Sequence, residues 1–117
     1  MASTARNRAV IDRDLAVARL CRVLGHPTRV AIIRLLLERD RTVSELIGEL
    51  GAPQSRVSNH LACLRWCGFV QSTRRGRLVT YRLTDRRIVE LLDQVDLIAA
   101  DRLDHLLACR RIGPDWI

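Results

Sequence analysis

Cys63 and Cys67 stand four residues apart in the stretch VSNHLACLRWCGFV, residues 57–70. On a helix, that spacing puts both side chains on one face with Cβ atoms about 5 to 6 Å apart, so two thiolates can converge on one ion. Such a pair supplies two ligands, and any third must come from elsewhere in the chain. A disulfide within the pair is disfavoured, because it needs Cβ atoms about 3.5 to 4.5 Å apart. A single free cysteine more often packs as a small hydrophobe, so the pairing is what carries the metal reading.

A second chemistry surrounds the first. All 20 basic residues are arginine, and the net charge is +7. Between Leu50 and Thr84 the chain holds Arg56, Arg65, Arg74, Arg75, Arg77 and Arg82 with no Asp or Glu. This acid-free segment is the electrostatic footprint of a surface that binds a polyanion.

The elements that must position these groups follow from spacing and punctuation. Leu15, Ala18, Cys21 and Leu24 recur at helical intervals from Asp12, with Gly25 ending the run and Cys21 on the core-facing side. His26 stands at a helix cap, Pro27 opens a second helix, and Val30, Ile33, Leu36 and Leu37 share one of its sides. TVSE, residues 42–45, forms a capping box that starts a short third helix carrying Leu46, Ile47 and Leu50. After the turn Gly51-Ala52-Pro53, a helix over about Gln54 to Trp66 buries Val57, Leu61 and Leu64. Its Gln54, Ser55, Arg56, Ser58, Asn59 and His60 face elsewhere.

Two short helices joined by a Gly-containing turn predict a helix-turn-helix whose second helix enters the major groove. Gly68 stops that helix, and FVQSTRRGRLVTYRL then reads as a β-hairpin turning at Arg75-Gly76. Arg74, Arg75 and Arg77 at its tip suit a wing lying along a phosphate backbone. From Thr84 or Asp85 to Arg111, apolar residues repeat every three or four positions until Gly113-Pro114. A helix of roughly 25 residues is about 38 Å long, more than so small a domain can cover. Its apolar stripe therefore meets a second copy of the chain, with the first helix helping, in a two-fold homodimer. His105 lies near that seam, and Trp66 is placed to shield the thiol pair from water.

The fold class is thus mainly α with a β-hairpin wing: a winged helix-turn-helix, homodimeric through its first and last helices. Residues 1–11 read as a flexible arm, 12–112 as the domain with its dimerisation helix, and 113–117 as a tail. No apolar run reaches the roughly 18 residues of a membrane span, and the N-terminus lacks a signal-like apolar core, so a cytoplasmic protein without membrane partners is expected. The chain has no Cys-x-x-Cys, no Gly-rich phosphate loop and no nucleophile elbow, which argues against an enzyme.

The words LGHPTRVAIIRLL, TVSELIGELG, QSRVSNHLACLRWCGFV and RRGRLVTYRL, in that order, resemble the ArsR/SmtB family of winged-helix repressors over about residues 15–110. The resemblance implies a homodimeric repressor that holds operator DNA until an inducer releases it. By position it assigns Gln54, Ser55, Arg56, Ser58, Asn59 and His60 to the DNA-reading helix, and Arg74, Arg75 and Arg77 to the wing. TVSELIGELG carries no paired-cysteine sensor, and the last helix offers only His105 toward a carboxylate-histidine site. What remains is similar to the CmtR-type cadmium and lead sensors, which implies a ligand set of Cys63, Cys67 and Cys109. Thiolates select soft ions, so cadmium or lead is the implied inducer, with mercury possible and no organic cofactor. The alternative is the same repressor fold sensing mercury, arsenite or thiol oxidation, for instance through a bridge from either paired cysteine to Cys109.

Overall fold

The computed structural model describes residues 2–110. The elements run α1 (Ala2–Val23), α2 (Pro27–Glu38), β1 (Arg41–Thr42), α3 (Val43–Leu50), α4 (Gln54–Trp66), β2 (Val70–Arg75), β3 (Leu78–Leu83), α5 (Arg87–Asp101) and α6 (Leu103–Ala108). The strands form one antiparallel sheet in the order β1-β3-β2, with Ser72 opposite Tyr81 in the hairpin. This is a winged helix-turn-helix, α3 and α4 being its two helices and β2-β3 its wing.

Local chemistry explains the central part. The capping box forms as the sequence requires: the Glu45 N–H donates to Thr42 Oγ1 at 3.1 Å and the Thr42 N–H donates to Glu45 Oε1 at 3.1 Å. Gly51 ends α3 with φ 63°, a left-handed conformation that lets the chain turn sharply into α4. Gly76 does the same at the hairpin tip with φ 61°. His26 caps α2, its Nδ1 accepting from the Thr28 N–H at 3.1 Å.

The core gathers Ile32, Ile33 and Leu36 from α2, Leu46 from α3, and Val57, Leu61 and Leu64 from α4. Val70 and Tyr81 close it from the sheet, and Ile88 and Leu92 from α5. Arg41, only 4% exposed, seals the edge where β1 meets α3. Its Nε donates to Glu49, its Nη2 to Glu38 and its Nη1 to the Leu35 and Arg39 carbonyls.

Four expectations need correction. The inner face of α2 is Ile32, Ile33 and Leu36, while Leu37 is 45% exposed, because the helix packs between α3, α4 and β3 and buries a face rotated from the single stripe read in the sequence. The segment 1–11, read as an arm, is helical from Ala2; it holds no Gly or Pro, and Ala and Arg are strong helix formers. Cys21 is exposed rather than in the core, since Leu20 and Val23 make α1's contact with the body and Leu24 follows just after it.

The last helix is broken at Arg102. The Arg102 N–H closes a tighter turn on the Ala99 carbonyl, and its guanidinium takes the Ile98 carbonyl that a continuing helix would have used. Beyond Leu92 no residue of α5 or α6 is buried, so no core holds the helix straight there. Arg111, the stop at Gly113-Pro114 and the tail 113–117 lie outside the described residues.

Candidate nucleic-acid interface and thiol pair

Gln54, Ser55, Arg56, Ser58 and Asn59 are all exposed along the N-terminal half of α4, and Val57 between them is fully buried. Helical periodicity explains this: Val57, Leu61 and Leu64 turn one stripe inward and leave the polar positions on the outer face. Arg74, Arg75 and Arg77 are exposed on the wing, where Arg74 Nε donates to the Gly76 carbonyl at 3.2 Å.

The charge of this surface is uncompensated. Arg34, Arg39, Arg41 and Arg87 each face a carboxylate, whereas among the described residues none of the six arginines between Leu50 and Thr84 forms an ion pair. Arg82 instead donates to the Gln71 side chain at 2.6 Å. Cations left without counter-ions on a helix and hairpin of this kind are available to phosphates.

His60 departs from the outward set. It is 8% exposed, and its Nδ1 accepts from Arg29 Nε at 3.1 Å. The His26 ring stands at 4.3 Å between centroids, tilted by 50°. Burial holds His60 below the usual imidazole range, and the nearby His26, Arg29 and Arg56 act in the same direction. It packs α4 onto α2 and stands apart from the outward polar residues; its partner lies 31 residues away, so the local sequence cannot show the pairing. Arg29 is the residue that sequence reasoning missed altogether.

Cys63 and Cys67 lie one helical turn apart at the end of α4. Both residues are half-buried at the C-terminal end of α4, and Cys67 caps the helix, its N–H donating to the Cys63 carbonyl at 3.1 Å. Burial raises the Cys67 thiol above its ordinary range, contact with Cys63 adds to this, and the Arg29 cation opposes it.

Trp66 is 89% exposed and does not shield the pair. Cys109, half-buried, caps the end of α6, and among the described residues no three His, Cys, Asp or Glu side chains gather as a metal site. A single chain thus brings together two of the three cysteines. His105 is exposed on α6. Among the described residues no helix is long and apolar enough to cross a membrane.

Fold and surface together are those of a DNA-binding transcriptional regulator. The profile "Bacterial regulatory protein, arsR family" matches residues 26–72. The chain is 38% identical over 95 residues to the "Probable mercury resistance operon repressor" of Streptomyces lividans, covering 81% of this chain and 76% of that one. It is 43% identical over 83 residues to the "HTH-type transcriptional regulator CmtR" of Mycobacterium tuberculosis, covering 71% and 70%. Among solved structures, Rv0081 of M. tuberculosis superposes with a TM-score of 0.70 at 35% identity, covering 80% of this chain and 94% of that one. The homodimeric winged helix-turn-helix domain Mb0332 of Mycobacterium bovis does so at 0.68 and 28%, covering 86% and 90%. The chain belongs to the ArsR family of transcriptional repressors.

Proposed function

We propose that this repressor holds operator DNA as a homodimer and releases it when cadmium or lead is bound by Cys63, Cys67 and Cys109. The observation that carries the reading is the placement of Cys63 and Cys67, both half-buried and one helical turn apart, on the helix that also presents Gln54, Ser55, Arg56, Ser58 and Asn59. An ion held there acts on the reading element itself. Cys109 at the end of α6 is the third ligand, and the partner protomer is its source.

The homodimer is supported by apolar surface that one chain leaves uncovered. Val95, Leu97, Ile98 and Leu107 on α5 and α6, with Ile11, Leu15 and Val17 on α1, are 45% to 78% exposed. Large apolar side chains left exposed along several helices are what a protein interface covers. In the dimer, the thiol-bound ion ties α4 to the dimerisation scaffold and removes the match between two reading helices and two half-sites.

Mercury is the second reading, favoured by the likeness to a mercury resistance repressor and by the presence of two gathered thiols. The ligand set decides between them. Anaerobic titration of the reduced protein with cadmium should give an intense ultraviolet thiolate-to-metal band saturating at one ion per protomer, and the band should weaken in Cys63→Ser, Cys67→Ser and Cys109→Ser. Mercury chemistry would instead survive Cys109→Ser, because two thiolates suffice for it. A weak band indifferent to all three substitutions would return the cysteines to packing.

A further inference from the structure

Val57, Leu61 and Leu64 hold α4 by apolar packing, which is not directional. Among the described residues, one side-chain hydrogen bond joins α4 to another helix: Arg29 Nε to His60 Nδ1 at 3.1 Å. The same guanidinium donates through Nη1 to the Val23 carbonyl at the end of α1, also at 3.1 Å. His60 is enclosed between this donor and the His26 ring, and His26 is itself fixed by the Thr28 N–H. A charged, planar donor engaged at two of its nitrogens holds its acceptor in angle as well as distance. A small rotation of α4 about its axis would break that contact before it exposed Val57, Leu61 or Leu64.

We propose that Arg29 is a positioning residue for operator recognition: through His60 it sets the rotation of the reading helix, and through Val23 it references that rotation to α1. The inference rests on the reading that α4 meets the bases of the operator. Setting the helix's angle matters for base edges and little for phosphates, which a basic surface attracts at any orientation.

The test compares Arg29→Gln, Arg29→Lys and His60→Phe with the unaltered protein, all metal-free. Each is titrated with a duplex selected in vitro by the unaltered protein and with a random duplex of equal length. Losing a buried hydrogen bond to a charged group corresponds to about tenfold or more in affinity. Arg29→Gln should therefore weaken the selected duplex at least about tenfold and leave the random duplex unchanged. His60→Phe should do the same, the double variant should be no worse than either single one, and Arg29→Lys should fall between. Equal weakening of both duplexes would reduce Arg29 to a fold-maintaining role and overturn the inference, as would unaltered selectivity or additive losses. If Arg29→Gln fails to fold, His60→Phe alone decides by the same criterion. If the unaltered protein does not prefer any duplex over random DNA, the reading of α4 as the operator-contacting helix fails instead.

Discussion

Arg75 and His60 are both polar residues of the proposed DNA-binding unit, yet one is exposed and the other is buried. Arg75 is exposed at a hairpin tip with no carboxylate near it in the sequence, and in the structure it remains without an ion pair among the described residues. His60 is polar and sits in a run of outward polar residues, yet it is buried because Arg29 supplies a hydrogen-bond partner from another helix. A polar side chain can enter a core once its hydrogen bond is satisfied there, and that condition is tertiary. Cys63 and Cys67 were legible because their pairing is local. The distance of Cys109 from them was not, since it depends on the arrangement of helices. At this scale the account predicts that Arg75→Ala weakens binding to all DNA sequences alike and lowers the slope of log affinity against log salt by about one. Fluorescence anisotropy across a salt series measures it, and a change in sequence preference with the slope intact would assign Arg75 to base reading.

Elements whose signals lie within a few residues appear where the sequence puts them. The capping box at Thr42, the turn at Gly51, the helix over Gln54–Trp66 and the hairpin turning at Gly76 are all of this kind. The two-residue strand β1 was not legible, because a strand that short has no period and exists only by pairing Arg41 and Thr42 with Tyr81 and Thr80. The break at Arg102 was not legible either, since the apolar repeat runs through it and no Gly or Pro marks it. Thr42 has a double part, pairing in the sheet and capping the first helix of the DNA-binding unit. Thr42→Ala should remove about 1 kcal/mol of stability, read as a lower urea midpoint with unchanged slope. A loss within a few tenths of zero would show that the capping box contributes nothing net.

Seen whole, one chain buries a core between α2, α3, α4 and the sheet, and leaves α1, α5 and α6 with apolar surface facing outward. The proposed DNA-reading face and the cysteine pair share a helix, and the third proposed ligand lies on the part of the chain proposed to pair with a second copy. That layout makes the metal's effect on DNA a coupling between sites, of about 1 to 3 kcal/mol or a 5- to 150-fold change in affinity. The most direct measurement is the dissociation constant for the selected duplex, with and without saturating cadmium, in the unaltered protein and in Cys109→Ser. The account predicts that cadmium weakens the unaltered protein by at least about fivefold. Cys109→Ser should keep the metal-free affinity and lose the response. Loss of DNA binding by Cys109→Ser in the absence of metal, or an unaltered protein whose grip cadmium leaves unchanged, would contradict it.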